Sequence, residues 1–341
     1  MKILSTVTAV LLIGGGLNSA FAQNHTAVAQ WDRSSAMLAV RSVNIDLAVN
    51  EINDLQDLLA LENRSDWPLP AREAAIYKFT RSLASVPRAA VNAAVIQHLN
   101  SYQARTLVPD EDHGDAVVPM FNIRGAAAGV ENGWIRSESA AEAHVLLESN
   151  PAALPGNYLK STRSSQRFGY LDALHQADLA SVQAVQVAAL DQLGTSPGLT
   201  PLVATTATIT ADPYAARRLL ADGSGTGLAA ALDTLGAQYS TAESASLMKY
   251  AIEQAPAANV ALAIAAWWPA LRHDPATRQL LIDKLADPAL GSSVALALAQ
   301  SPDIQTIREL QLIAGGDSTA ARRAQLSLDI SRNGLIGEVW K

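Results

Sequence analysis

DPATRQLLIDKLADPALGSSVALALAQSPDIQTIREL, running from Asp274 to Leu310 and followed by QLIAGGDSTAARRAQLSLDI to Ile330, decides the fold. Asp274-Pro275, Asp287-Pro288 and Ser301-Pro302 repeat one helix-start pattern. A short oxygen-bearing side chain accepts from the orphan N–H groups of a first turn. Proline then stands where a missing N–H costs nothing. The starts lie 287 − 274 = 13 and 301 − 287 = 14 residues apart, so each helix has room for about three turns. A helix that short does not bury its apolar face alone, whereas stacked antiparallel pairs do. The pattern predicts an all-α chain built as an α-solenoid of helical hairpins.

Working outward, the spacing predicts helices over residues 241–254 and 257–271, and over 164–176 and 179–193. Asp212-Pro213 marks another start, closed by Asp222-Gly223. The stretch LVATTATIT, residues 202–210, has the composition of a strand but helical neighbours, and helix is the expectation. Residues 71–84 and 88–103 form the first expected hairpin, with Ala75, Phe79 and Leu83 on one apolar face and Val91, Val95 and Leu99 on the other. A single helix is expected over residues 45–61, where Ala48, Ile52, Leu55 and Leu59 share a stripe. Residues 106–137 break the rhythm with prolines and glycines, and read as an irregular insertion with a short helix near 117–128. The expected organisation is a signal at 1–22, a polar lead and first helix at 23–66, and a solenoid at 67–341.

The first 22 residues carry Lys2, an apolar stretch and Ala20-Phe21-Ala22, the elements of a cleaved secretory signal. No later segment has the long apolar run of a membrane span. The expected location is a bacterial periplasm or the exterior, after cleavage near Ala22. The absence of cysteine excludes disulfides, thiolate metal sites and a cysteine nucleophile. Without Lys2 the formal charge is 24 − 32 = −8, an acidic balance that argues against nucleic acid as a partner.

Two segments, LADPALGSSVALALAQSPDIQTIREL from Leu285 and GDSTAARRAQLSLDI from Gly316, resemble HEAT-type repeats of the short variety. Each has an Asp-bearing turn and then a helix of small and aliphatic residues. The family's arginine early in the second helix is absent after Pro288, where Leu290-Gly291 stands, and is represented by Arg322 in the last repeat. The resemblance implies a scaffold presenting an extended concave surface to a protein or peptide.

Candidate sites are few. Asp110, Asp112 and Asp115 lie in one acidic loop with Glu111, His113 and Gly114. Such carboxylates suit a hard cation, so Ca²⁺ is the one cofactor suggested, although the EF-hand spacing is absent. A solvated loop is the plainer reading. Trp267 and Trp268 point about 100° apart on a helix, so one is free to face a groove as a contact while the other enters the core. Trp134 is a third candidate contact. The six histidines are scattered, without an H-E-x-x-H pair. Gly223 to Gly227 lacks the lysine of a phosphate loop and follows a helix, so it reads as a helix end. No G-x-S-x-G elbow occurs. The leading functional expectation is an exported, non-enzymatic scaffold or adaptor. A hydrolase with groups converging from distant repeats, and a structural or carbohydrate-binding envelope protein, are the alternatives.

Overall fold

A computed structural model describes residues 30–112, 116–300 and 303–339. The expected signal, Asp115 and Ser301-Pro302 lie outside them. The described chain is all-α apart from one two-stranded hairpin, and it divides into two compact units, Met1–Trp134 and Ile135–Lys341. The sequence predicts a single solenoid from residue 67. The division falls instead at Trp134, inside a helix, where no composition shift marks it.

The first unit contains α1 (Arg33–Arg41), α2 (Ile45–Asn50), α3 (Leu55–Glu62), α4 (Leu69–Ser82) and α5 (Ala93–Asn100). Strands β1 (Leu107–Pro109) and β2 (Val117–Pro119) follow, antiparallel, with Val108 opposite Val118. Helix α6 (Ile123–Ser149) begins here and continues into the second unit. Helices α1, α2 and α3 all pack on α4. Leu58, Ile76, Phe79, Leu99, Ile123 and Trp134 belong to one buried cluster.

Three expectations for this unit change. The helix at 45–61 is two helices, because Asp54 takes the amides of Gln56 and Asp57 at 2.8 and 3.0 Å and so starts a second one. Helix α1 stands where no element was expected, between the polar lead and the first helix, and starts where Asp32 caps Ser35 at 2.9 Å. The irregular insertion is a hairpin followed by α6, with Gly125, Gly129 and Gly133 inside the helix. Each glycine costs about 1 kcal/mol of helix propensity. Ile123, Ala127, Val130 and Trp134 are all buried at helical spacing, and that burial outweighs the cost.

After α6 the second unit contains α7 (Leu154–Lys160), α8 (Ser164–Leu174), α9 (Leu179–Leu193), α10 (Thr200–Thr210), α11 (Pro213–Asp222) and α12 (Thr226–Gln238). Then come α13 (Thr241–Gln254), α14 (Ala257–Leu271), α15 (Pro275–Asp283), α16 (Gly291–Gln300), α17 (Ile304–Ala314) and α18 (Thr319–Val339). The threonine-rich segment is helical, as expected. Its hydroxyls turn back onto the chain: Thr205 donates to Pro201 O at 3.0 Å and Thr208 to Ala204 O at 2.9 Å. Polar groups that would have marked a strand are thereby satisfied inside a helix. Asp274 caps Thr277 at 2.7 Å with Pro275 behind it. Asp287 caps Ala289 and Leu290 at 2.9 and 3.1 Å, but α16 starts only at Gly291.

Packing in this unit follows a rule. Helix α10 contacts α12, α12 contacts α14, α14 contacts α16, and α16 contacts α18. The same step joins α9 to α11, α11 to α13, and α13 to α15. Helices next in sequence also touch, as α9–α10, α13–α14 and α17–α18 do. Side-chain donors add links between elements distant in sequence. Asn259 Nδ2 on α14 donates to Leu220 O and Gly223 O, both at 2.9 Å. Arg323 Nη1 on α18 donates to Leu285 O and Asp287 O, both at 2.7 Å. The Gly223 and Asp287 links each span 36 residues. Ser327 and Ser331 donate to Ala295 O and Ala299 O at 2.7 and 3.0 Å, each across 32 residues. Arg323, not Arg322, therefore makes the inward link; Arg322 bonds Thr319 on its own helix at 3.2 Å. Gly291 makes room for it. A Cβ there would stand 2.5 Å from Leu285 O and collide with the Arg323 guanidinium.

Candidate functional site

Chemistry-bearing side chains of the first unit gather around α4. Glu73 is the only carboxylate in that helix and is wholly buried. Its Oε1 accepts from Arg105 N at 2.7 Å and Tyr102 OH at 3.3 Å, and its Oε2 accepts from Thr106 N at 2.9 Å. Burial, with the Glu73 charge beside it, pushes the Tyr102 phenol far above its usual range. Tyr102 thus stays protonated and keeps donating. One turn earlier, His98 Nε2 lies 3.0 Å from Glu62 Oε2, and the imidazole meets the Tyr102 ring edge-on at 6.2 Å. Arg72 Nη1 donates to Glu62 O at 2.7 Å.

The arrangement is a clamp. Both Glu73 oxygens are filled by donors from residues 102–106, and they have no face to solvent. A carboxylate so held fixes the backbone leading into β1, rather than passing protons to a bound molecule. Sequence reasoning missed it. The available signal was one acid among Ala71, Ala74, Ala75 and Ile76, together with the i,i+4 pair His98 and Tyr102.

The tryptophan contacts are corrected. Trp267 and Trp268 are each only 1% exposed, so neither presents a groove contact. Helix α14 touches α11, α12, α13 and α16, so neighbours meet it on more than one side and both directions of the pair are covered. Trp267 Nε1 donates to Leu232 O at 2.7 Å. Trp134 is buried as well, its Nε1 donating to Val86 O at 2.8 Å. All three serve the core.

In the acidic loop, Asp110 N donates to Ala116 O at 2.9 Å and Asp112 N to Asp110 Oδ1 at 3.1 Å. Glu111 faces Arg33 at 3.6 Å, both exposed. Asp115 lies outside the described residues. Among the described residues no three His, Asp or Glu side chains form a metal-holding group. Asp172 is paired with Arg136 through Nε and, at 2.6 Å, Nη2. That pairing holds its carboxyl below the usual range. Gly223 to Gly225 makes the turn into α12, with Gly225 at φ +76°, where glycine is at ease, and Gly227 already lies in the helix.

The exposed apolar groups offer more. Leu179 and Val187 stand on α9, eight positions and about 80° apart, and Tyr214 stands on neighbouring α11; each is more than half exposed. Arg217, also on α11, reaches over the Tyr250 ring of α13 at 5.9 Å. Arg218 Nη1 donates to Tyr214 OH at 3.4 Å. Aromatic and arginine side chains on adjoining helices are the usual anchors of a protein contact. Among the described residues no helix is long and apolar enough to cross a membrane. No protein-family model, curated protein or solved structure matches the chain.

Proposed function

We propose that the second unit is an α-solenoid of HEAT-like hairpins, and that the protein is an exported, non-enzymatic scaffold or adaptor for a protein or peptide. The single observation that carries this reading is the step of two between packed helices, fastened between α16 and α18 by side-chain-to-carbonyl links 32 residues long. A chain built in such steps sets the outer faces of alternate helices side by side. On α9 and α11 those faces carry Leu179, Val187, Tyr214 and Arg217, and these are the proposed contacts. Export rests on the signal-like composition of residues 1–22.

The test is crosslinking capture in the native envelope and secreted fractions, run in parallel with the wild-type chain and with Tyr214→Ala plus Val187→Ser. A single stoichiometric partner that is lost from the double variant, at unchanged melting temperature, supports the adaptor. Undiminished capture by the variant refutes this surface. Failure to capture any partner with intact, folded protein refutes the adaptor itself.

A further inference from the structure

The first unit holds a half-open cleft between α2 and α3, of about 190 Å³, lined by Ala48, Glu51, Ile52, Asp57, Ala60, Leu61 and Arg64. Its size selects among ligands. Drug-sized molecules and cofactors occupy roughly 300–1,000 Å³, so this cleft admits about one amino-acid side chain. Its lining is equally selective. Ala48, Ile52, Ala60 and Leu61 give an apolar wall, and the charges sit on Glu51, Asp57 and Arg64. Arg64 is already committed: its Nε donates to Asp66 Oδ1 at 3.1 Å, and its guanidinium lies 4.6 Å from the Trp67 ring centroid. With two carboxylates against one guanidinium that is already paired outward, the lining is negative on balance.

The rim is preformed. Asp57 Oδ2 accepts from Asn53 N at 2.9 Å and Asn53 Nδ2 at 3.3 Å, and the same Nδ2 donates to Glu51 O at 2.9 Å. The Asn53 amides hold the Asp57 carboxyl below its usual range, so it is ionised at neutral pH. Asp54 fixes the next turn through Gln56 and Asp57. An apolar lining that also carries two carboxylates complements an aliphatic stem ending in a cation.

We infer that this cleft receives one lysine side chain from a segment of another protein, with the stem along Ile52 and Ala60 and the ammonium between Glu51 and Asp57. Lysine suits it better than arginine, because a flexible stem and a point charge need no planar fork of acceptors. The inference concerns the first unit and does not depend on the Tyr214 surface, so either can fail alone.

The full chain, with ¹³C-labelled alanine and isoleucine methyls, should be titrated with acetyl-Gly-Gly-Lys-Gly-Gly-amide and with its norleucine and glutamate counterparts. The lysine peptide is expected to shift the Ala48, Ile52 and Ala60 methyls with a Kd on the order of 1–10 mM. The norleucine peptide, with the same four-carbon stem but no ammonium, should bind about fivefold more weakly, and Glu51→Gln should weaken lysine binding about threefold. Ala60→Phe fills the cleft and should abolish the shifts; Glu51→Lys, on the exposed rim, should do so without touching the core. Equal affinity for lysine and norleucine overturns the inference. So do lysine shifts that persist in Glu51→Lys, or the absence of any cleft shift up to about 20 mM peptide.

Discussion

The two units fasten themselves in opposite ways. The first depends on one buried carboxylate: Glu73 takes three donors from residues 102–106 and sets the path into the hairpin. The second spreads its links over several side chains that donate to carbonyls 32 to 39 residues back, at Asn259, Arg323, Ser327 and Ser331. In the first unit three donors converge on one buried group, beside single links such as His98 to Glu62 and Trp134 to Val86 O, so the loss of Glu73 is concentrated. In the second the long-range order is shared, and no polar link stands above the others. Local periodicity suffices to write the second plan, whereas the first needs a contact between residues more than thirty positions apart.

This contrast can be broken in several ways. The largest effect is expected from the shared core of the second unit. Trp268→Ala should cost about 4 kcal/mol in urea unfolding, because a wholly buried indole leaves a cavity. A variant that melts like wild type but no longer captures a partner would return Trp268 to the surface. Next, Glu73→Ala should cost about 3 kcal/mol, since it leaves one buried and one part-buried N–H group and a buried phenol without an acceptor. Hydrogen exchange should place that loss at residues 102–109, with little change in α9 to α18; loss spread evenly over both units would void the comparison. Third, Asn259→Ala and Arg323→Ala should each cost about 1.5 kcal/mol, and the double variant should show their sum. A strongly non-additive pair would mean the links act as one network.

A smaller effect is expected from acid. The Asp303 carboxyl is held below its usual range: burial raises it, but the Thr306 amide at 2.7 Å and Arg278 lower it by more. A group whose folded value is depressed contributes stability that is present above its unfolded value and lost as pH falls through the folded one. Stability should therefore decline below about pH 4, and Asp303→Ala should remove about 1 kcal/mol of the stability seen at pH 7. An unchanged acid limb in that variant would show that Asp303 does not contribute. Smallest of all, Tyr214→Ala should change stability by less than about 0.5 kcal/mol, as an exposed side chain should.

Much of the second unit was legible because its signals are local. Asp212, Asp274 and the aliphatic spacing of residues 179–193 each name an element without reference to the rest of the chain. Elements were misread where tertiary contacts override local preference. Glycines 125, 129 and 133 argue for a loop, yet the buried stripe of Ile123, Ala127, Val130 and Trp134 makes a helix. The tryptophans failed for a related reason. Periodicity says that Trp267 and Trp268 diverge, but not that helices wait on both sides. Glu73 was invisible as a clamp, because an acid within an apolar helix acquires its meaning only from donors far along the chain. The candidate contacts on α9 and α11 were likewise unreadable, since exposure of an aliphatic side chain depends on what the remaining helices leave uncovered.

The stitched carbonyls also constrain how such a chain can change its length. A single residue inserted within α16 or α18 would turn everything beyond it by about 100° and carry Ser327 or Ser331 away from its acceptor. Were the second unit the repeating array proposed above, insertion or loss of one whole step would leave Ser327 and Ser331 facing equivalent carbonyls. On that reading lengthening should be tolerated in blocks and rejected in ones and twos.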